Sequence, residues 1–203
     1  MSTNALGALF VAVGYLSGSV PYGLLLARLF LGVDVRSVGS GNIGGTNVAR
    51  VDKKLGAATI VLDILKAVIP LLVAKRVLAG APHHDYWVMG VAVAAFAGHV
   101  YPVWLGFKGG KGVASGFGVY LVLAPWLALA GVATWAGTWL LTRMSSLGSL
   151  LGTVVFVVGM VATLGPTHPL TFSAFAIGGI IFQRHTENIR RILSGEEKKR
   201  MKV

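Results

Sequence analysis

Long apolar runs are the feature that most constrains the fold of this chain. The first extends from about Ala5 to Leu31, and a helix needs roughly 20 apolar residues to cross a hydrocarbon core of about 30 Å. Because a lipid-exposed backbone must satisfy its own hydrogen bonds, we expect such runs to be helices. Six further runs follow, at about Gly56–Ala74, Tyr86–Trp104, Val113–Ala124, Trp126–Thr142, Leu147–Gly165 and Leu170–Phe182. The sequence therefore predicts an all-α integral membrane protein, a compact bundle of about seven transmembrane helices in a single domain, residues 1–203.

The count of seven depends on Pro125, which divides the apolar stretch from Val113 to Thr142. As one helix of about 30 residues, this stretch would be about 45 Å long, too long for one span without steep tilt. One span would also move the basic C-terminal segment outside the cell, which the positive-inside rule opposes. We therefore predict two short spans broken at Pro125. This topology places the N-terminus outside and the C-terminus in the cytoplasm.

The charge balance indicates which partners suit the polar segments. The chain has 18 Lys and Arg against 7 Asp and Glu, for a formal net charge of +11. This excess favours anionic lipid headgroups or a phosphorylated substrate. We expect no nucleic acid partner for a chain that is 55% hydrophobic. Because the chain has no cysteine, disulfides, thiolate nucleophiles and cysteine metal ligands are excluded.

The first polar stretch, GSGNIGGTNVAR, begins at Gly39 and ends at Arg50. Its glycines permit positive φ angles that turn backbone N–H groups inward, an arrangement that binds phosphate. Arg50 could add a bidentate partner for phosphate oxygens. The alternative is an ordinary reverse turn with Arg50 as a membrane anchor. Hydroxyl and amide groups come from Ser40, Asn42, Thr46 and Asn47.

The second stretch, GHVYPVWLGFKGGKGVASG, alternates lysines with glycines. Such a segment could form a backbone-lined anion pocket with ammonium groups at its mouth. The spacing is not that of a Walker A loop. The alternative is a flexible basic loop, with His99 as a satisfied polar residue at a helix end. The residues concerned are Lys108, Gly109, Gly110, Lys111 and Gly112.

The third stretch, QRHTENIRRILSGEE, places His185 and Asn188 three residues apart. They would share one helix face if the last span continued into the tail, where they could form a general base with an orienting amide. The alternative is a basic juxtamembrane helix that binds anionic lipid. Glu196 is expected to close the helix end or to pair with a cation, a structural role.

Two further groups of polar residues accompany these stretches. Asp63 and Lys66 lie three residues apart inside the second apolar run, where ionic residues are functional candidates by default. We favour a mutually neutralised, structural pair. Ser145 and Ser146 could supply hydroxyl donors or simply begin the next helix. In the predicted topology, the three polar stretches and these serines share the cytoplasmic face.

Together, the three stretches closely resemble the signature motifs of the bacterial membrane acyl-phosphate:glycerol-3-phosphate acyltransferases, the PlsY family. The resemblance covers the chain from end to end, with the motifs in the family's order. It implies a seven-helix bundle with a cytoplasmic active site. It also implies transfer of a fatty acyl group from acyl phosphate to the sn-1 hydroxyl of glycerol 3-phosphate, giving lysophosphatidic acid and phosphate.

The resemblance also implies roles for individual residues. Catalytic roles fall on Ser40, Arg50, Lys111, His185 and Asn188. Substrate-binding roles fall on Asn42, Thr46, Asn47, Lys108, Gly109, Gly110 and Gly112, with the second motif as the phosphate-binding loop for glycerol 3-phosphate. From their position beside the cytoplasmic face, independently of the resemblance, we also place Ser145 and Ser146 among the substrate-binding candidates. Structural roles fall on Asp63, Lys66 and Glu196. Either His185 or the donor phosphate could be the general base.

Acyl phosphate is a mixed anhydride that is already activated, so we expect neither a metal nor a cofactor. We further expect a monomer in the bacterial inner membrane, in contact with membrane lipids and supplied by an acyl-phosphate-forming enzyme. The competing hypothesis is a transporter or channel for a small phosphorylated anion. Transporters usually contain inverted repeats with midplane sites, whereas the polar stretches here cluster at one predicted face.

Overall fold

The structure is a computed structural model that describes residues 2–197. Within this range every regular element is helical, as the sequence predicts. Two short 3₁₀ turns, Val35–Ser37 and Val103–Leu105, lie among the α-helices. The α-helices are α1 (Thr3–Ser19), α2 (Tyr22–Leu31), α3 (Gly45–Val48), α4 (Lys53–Val77), α5 (His84–Val100), α6 (Val113–Leu123), α7 (Pro125–Thr142), α8 (Ser145–Leu164), α9 (Pro169–Arg184) and α10 (Thr186–Leu193).

Among residues 2–197, four helical segments are long and apolar enough to cross a membrane. They are Thr3–Leu31, Lys53–Val77, His84–Leu105 and Ser145–Leu164, of 29, 25, 22 and 20 residues. Helix α6 is apolar but shorter, with 11 residues. The all-α prediction is thus confirmed, whereas the count of seven crossings and the orientation of the termini stay predictions.

The chain forms two compact units, Met1–Val122 and Leu123–Val203. In the first unit, α1 packs along α5, and both contact α4. In the second unit, α8 lies against α7 and α9. The division does not test the prediction of a single functional domain over residues 1–203.

Glycines bring α1 and α5 into close contact. A Cβ atom added at Gly18 of α1 would overlap the carbonyl oxygen of Ala95, and one at Gly14 would lie 3.2 Å from the Val91 carbonyl oxygen. From the other side, a Cβ at Gly98 would lie 2.7 Å from the backbone nitrogen of Ser19. In lipid, such close backbone approach is a main source of helix association. These glycines therefore fix the distance between the two helices.

The first apolar run is not one continuous helix but breaks between α1 and α2. Pro21 lacks an N–H group and its ring obstructs a continuing helix, so α2 begins at Tyr22. The carbonyl oxygen of Val20 accepts hydrogen bonds from the Tyr22 N–H at 3.1 Å and from the Lys66 ammonium group at 2.8 Å. Lys66 also pairs with Asp63 at 2.7 Å. The buried ion pair of α4 thus completes the hydrogen bonding of this break.

The second proline break lies where the sequence predicts it. Helix α6 ends at Leu123, and Pro125 occupies the first position of α7. Proline suits that position because the first N–H groups of a helix have no intrahelical partner. The prediction that residues 113–142 form two helices is confirmed.

Candidate active site

The first polar stretch is organised around the side chain of Asn47, which is only 3% exposed. Its amide nitrogen donates to the carbonyls of Val35 and Val38 at 2.9 and 3.0 Å. Its amide oxygen accepts from the Ser40 N–H at 3.0 Å. Because both N–H bonds of this amide are used by the loop, Asn47 shapes the loop rather than offering donors to a ligand.

Other groups of the same loop face outward. Ser40, Thr46 and Arg50 are exposed, and a Cβ added at Gly39 would lie 2.9 Å from the Arg50 Nη1 atom. The Arg50 guanidinium therefore packs over the backbone next to Ser40. Asn42 accepts from the Gly44 N–H at 2.9 Å, which closes a local turn. The loop thus presents two hydroxyls and one guanidinium on a rigid frame.

An ion cluster precedes this loop. The carboxylate of Asp34 accepts from Arg36 Nη2 at 2.6 Å and from Arg28 Nη2 at 2.7 Å. Hydrogen bonds from Arg36, assisted by Arg28, hold the pKa of the Asp34 carboxyl well below its usual range. Asp34 is therefore ionised, and it ties the end of α2 to the start of the loop.

In the second stretch, two glycine amides point at the end of α5. The Gly109 N–H donates to the Val100 carbonyl and the Gly110 N–H to the His99 carbonyl, both at 3.1 Å. These two groups satisfy carbonyls of the last helical turn, so they are directed at α5 rather than at an anion. The glycine spacing alone does not predict this arrangement. The cations of the loop are Lys108, which is exposed, and Lys111, which is half-buried.

The first and second stretches lie at the same end of the first unit. Leu105, three residues before Lys108, packs against a buried cluster that includes Ile43 and Val48 of the first stretch. The exposed Ser40 and Arg50 and the lysine-bearing loop are therefore supported by one common core.

The third stretch lies in the second unit and is bent at His185. The last span does not continue unbroken into the tail, which was the condition for His185 and Asn188 to share one helix face: α9 ends at Arg184 and α10 begins at Thr186. His185 is 2% exposed, and its Nδ1 atom lies 2.8 Å from the Ile181 carbonyl oxygen. Because a carbonyl only accepts, Nδ1 must carry the hydrogen. In the neutral ring the lone pair is then on Nε2, the nitrogen that can take a proton.

A buried carboxylate, Glu197, organises the residues around Asn188. It accepts from the Ser146 hydroxyl at 2.6 Å, from the Asn188 amide at 2.7 Å and from Arg191 Nε at 2.7 Å. Burial alone would raise the pKa of Glu197, but these three hydrogen bonds hold it below its ordinary value.

The neighbouring Glu196, to which the sequence argument gave the structural role, is exposed. Glu197 could not be identified from the sequence, because nothing in the pair of glutamates shows which one points inward. The backbone at Gly195, with φ of +72°, reverses the chain and makes that choice.

The predicted serines begin α8. Ser145 accepts from the indole nitrogen of Trp135 at 3.2 Å, and Ser146 donates to Glu197. The second unit therefore brings Ser146 and Asn188 together on one carboxylate. In the first unit, Asp63 and Lys66 lie among buried residues at the helix break rather than on the exposed loops.

An apolar groove of about 220 Å³ lies between α8 and α9. Its floor includes Gly178 and Gly179, and Phe182 stands at the end nearer the third stretch, three residues before His185. On α8 it is lined by Thr153, Val154, Val157 and Val158. The groove is almost without polar groups.

These features define a helical membrane protein that exposes basic and hydroxyl groups on glycine-rich loops. Residues 8–195 match the family model described as glycerol-3-phosphate acyltransferase. The chain is 62% identical over 200 residues to the glycerol-3-phosphate acyltransferase of Anaeromyxobacter sp. (strain K), covering 98% of this chain and 100% of that protein. The enzyme of that name from Myxococcus xanthus (strain DK1622) is 43% identical over 190 residues, which cover 93% of this chain and 97% of that one.

Two solved structures share the fold. The crystal structure of PlsY (YgiH), an integral membrane glycerol 3-phosphate acyltransferase, in its glycerol 3-phosphate form has a TM-score of 0.88 and 39% identity, covering 95% of this chain and 94% of that one. The lysophosphatidic acid form of the same enzyme has a TM-score of 0.86 and 38% identity over the same shares of the two chains. The chain belongs to the glycerol-3-phosphate acyltransferase family.

Proposed function

We propose that this chain transfers a fatty acyl group from acyl phosphate to the sn-1 hydroxyl of glycerol 3-phosphate, giving lysophosphatidic acid and phosphate. The observation that carries this proposal is the match over 95% of the chain to one enzyme solved in both a glycerol 3-phosphate form and a lysophosphatidic acid form. Those two molecules are the acceptor and the product of the proposed reaction. The three sequence motifs supply functional groups that suit the binding of both substrates, acyl phosphate and glycerol 3-phosphate.

The exposed groups of the first unit suit the phosphates of the substrates. Arg50 can bind two phosphate oxygens at once, whereas Lys108 and Lys111 act as point charges. The Ser40 and Thr46 hydroxyls add neutral donors. We assign anion binding to these groups rather than to the Gly109 and Gly110 amides, which donate to α5.

The reaction needs only positioning, charge neutralisation and one proton transfer. The acceptor hydroxyl oxygen attacks the acyl carbonyl carbon, and the bond from that carbon to the phosphate oxygen breaks. Phosphate leaves with the electron pair of that bond, and the hydroxyl proton passes to a base. Since the leaving group is already activated, the chemistry requires neither a metal nor a cofactor. Lysine and arginine groups that hold the phosphate would also stabilise its developing charge.

We favour the donor phosphate as the base. Its second pKa, about 6 as for phosphoryl monoesters, allows it to take a proton near neutral pH. His185 and Asn188 are then positioning residues rather than the base. His185 Nδ1 donates to the Ile181 carbonyl and Asn188 donates to Glu197, so both side chains are held in fixed orientations. Fixed orientation is what a positioning role requires.

The apolar groove of the second unit is our candidate for part of the acyl chain. From Phe175 to Phe182 it follows α9 for about 10 Å at ~1.5 Å per residue. Its small polar surface fits a hydrocarbon chain. Gly178 and Gly179 keep its floor open, because side chains there would project into the space that the chain occupies.

The remaining proposals concern placement in the cell. Seven crossings, with the N-terminus outside and the C-terminus in the cytoplasm, would place the three motifs on the cytoplasmic face of the bacterial inner membrane, as the charge distribution favours. A monomer that takes glycerol 3-phosphate from the cytosol and acyl phosphate from the membrane would require no partner chain for chemistry. An acyl-phosphate-forming enzyme must supply the donor.

The direct test uses purified protein in detergent with acyl phosphate and glycerol 3-phosphate, and follows the release of inorganic phosphate and the formation of lysophosphatidic acid. We expect both to depend on glycerol 3-phosphate and to appear in equal amounts. Glycerol in place of glycerol 3-phosphate, and acyl-coenzyme A in place of acyl phosphate, are the matched controls. Phosphate release that is independent of the acceptor would rule out the transferase.

A further inference from the structure

We propose that His99 is a positioning residue that holds the glycine loop, residues 108–112, and so sets where Lys108 and Lys111 meet the phosphate of glycerol 3-phosphate. This inference rests on the proposed function and deepens it. His99 lies in the last turn of α5 and is 5% exposed. It is therefore placed to act through the loop that covers it rather than on the substrate itself.

The loop and the imidazole ring are in direct contact. A Cβ added at Gly110 would overlap the Nε2 atom of His99 and would lie 3.0 and 3.1 Å from its Cε1 and Cδ2 atoms. The Gly110 Cα therefore rests on this edge of the ring. The His99 carbonyl also accepts the Gly110 N–H at 3.1 Å. Thus one residue holds Gly110 through both its side chain and its backbone.

The opposite side of the ring faces a buried ion pair. His99 Nδ1 lies 3.5 Å from Asp63 Oδ1, and the same oxygen lies 2.7 Å from Lys66 Nζ. All three side chains are at least 96% buried. Because Asp63 and Lys66 are fixed in the middle of α4, the ring cannot turn away from the loop without moving that pair.

The far end of the loop is fixed to the same helix. The Ser115 hydroxyl, fully buried in α6, donates to the backbone carbonyl of Asp63 at 2.9 Å. Helix α6 begins at Val113, directly after the loop. Asp63 therefore anchors both ends of the segment, through His99 before it and through Ser115 after it.

This arrangement gives a physical reason for a glycine at position 110 that differs from close approach of a phosphate. Alanine there would press its methyl group against His99 and displace the loop. A displacement of about 1 Å can cost about 10²-fold in an enzyme reaction. Because the lysines bind phosphate in the ground state as well as in the transition state, the loss should appear mainly in KM for glycerol 3-phosphate.

The test is a double-mutant cycle between His99 and Gly110. His99→Asn keeps an amide group at the position of Nδ1, facing Asp63, and removes the Nε2 edge that Gly110 contacts. We expect Gly110→Ala alone to raise KM for glycerol 3-phosphate about 10- to 100-fold, with a smaller change in kcat. Adding His99→Asn should lower that KM again by at least about threefold, because the alanine methyl group gains space.

His99→Asn alone completes the cycle and should raise KM for glycerol 3-phosphate, because the loop loses its support. Two further variants accompany the cycle. His99→Ser shortens the same side chain and provides a second measurement if the asparagine variant does not fold. His83→Asn is the matched control, since His83 is exposed and has a φ of +59° that asparagine tolerates; it should leave KM unchanged.

The result that would overturn the inference is additivity. If each shortening variant that folds raises KM of Gly110→Ala by the same factor by which it raises KM of the unmodified protein, the glycine serves the phosphate directly and His99 does not position the loop. Normal KM in Gly110→Ala would overturn it equally. Failure of the proposed function looks different, because the unmodified protein would then release no phosphate in response to glycerol 3-phosphate.

Discussion

Loss of the Glu197 carboxylate should destabilise the second unit more than loss of its neighbour Glu196. Glu197→Ala removes the acceptor of three hydrogen bonds, from Ser146, Asn188 and Arg191. Arg191 is 22% exposed and can turn to water, whereas Asn188 is 6% exposed. A buried donor that loses its partner costs about 1–3 kcal/mol. The half-buried Ser146 adds part of such a cost, so we expect Glu197→Ala to lower the free energy of unfolding by about 2–4 kcal/mol.

The assay is unfolding of the purified protein in mixed micelles, with turnover measured in parallel. Glu196→Ala is the matched control and should change the unfolding free energy by less than about 0.5 kcal/mol, since exposed side chains without specific partners contribute little. Turnover of Glu197→Ala should fall as well, because Asn188 loses the group that orients it. Equal destabilisation by the two substitutions would refute the reasoning.

The same carboxylate predicts a pH dependence. Because the pKa of Glu197 is lowered in the folded protein, its contribution is complete above the ordinary glutamate pKa of about 4.3 and is lost as the pH falls through the lowered folded value. The stability difference between the unmodified protein and Glu197→Gln should therefore be constant above about pH 5.5 and shrink in acid. A difference that grows on acidification would contradict this assignment.

Three further predictions concern topology, the base and the acyl chain. In whole cells an impermeant thiol reagent should label Ser2→Cys but not Ser194→Cys; labelling of the latter would exclude a cytoplasmic C-terminus. His185→Gln should lower turnover but keep the acid limb of the pH–rate profile. If His185 were the general base, the substitution would lower turnover by about 10²- to 10⁴-fold and would also abolish the acid limb. Gly179→Leu should displace about two methylenes of a long donor and lower the long-to-short kcat/KM ratio about tenfold, at ~0.8 kcal/mol per methylene. Gly137→Leu, at an open position on α7, is its control, and equal ratios in both variants would exclude the groove.

The helices were predictable because hydrophobic length is a local property of the sequence. The break at Pro125 was also predictable, since an unbroken helix would have been too long and would have reversed the charge distribution. The break at Pro21 was missed. The apolar run around it contains Gly18, Ser19 and Pro21 but no charged residue before Arg28, so its hydrophobicity continues across the break, and the group that completes the hydrogen bonding there, Lys66, lies 45 positions from Pro21 in the sequence.

The candidate site was predictable in its residue types but not in its hydrogen bonds. Repeated glycines, amides and lysines identified the loops correctly as the unusual polar segments. The sequence could not show that Asn47 uses its amide to hold Val35 and Val38, because that depends on how the loop closes in three dimensions. For the same reason it could not show that Glu197 rather than Glu196 turns inward.

The hydrogen bond from Lys66 to the Val20 carbonyl couples two distant parts of the sequence, so that we expect substitutions in them to occur together during evolution. If Lys66 were exchanged for an apolar residue, a carbonyl at the break and the Asp63 carboxylate would both lose a buried partner. If Pro21 were replaced instead, α1 and α2 could form one continuous helix, and the Val20 carbonyl would no longer need the hydrogen bond from Lys66. Substitution at either position alone is therefore costly. We expect relatives that lack the proline at position 21 also to have uncharged residues in place of Asp63 and Lys66.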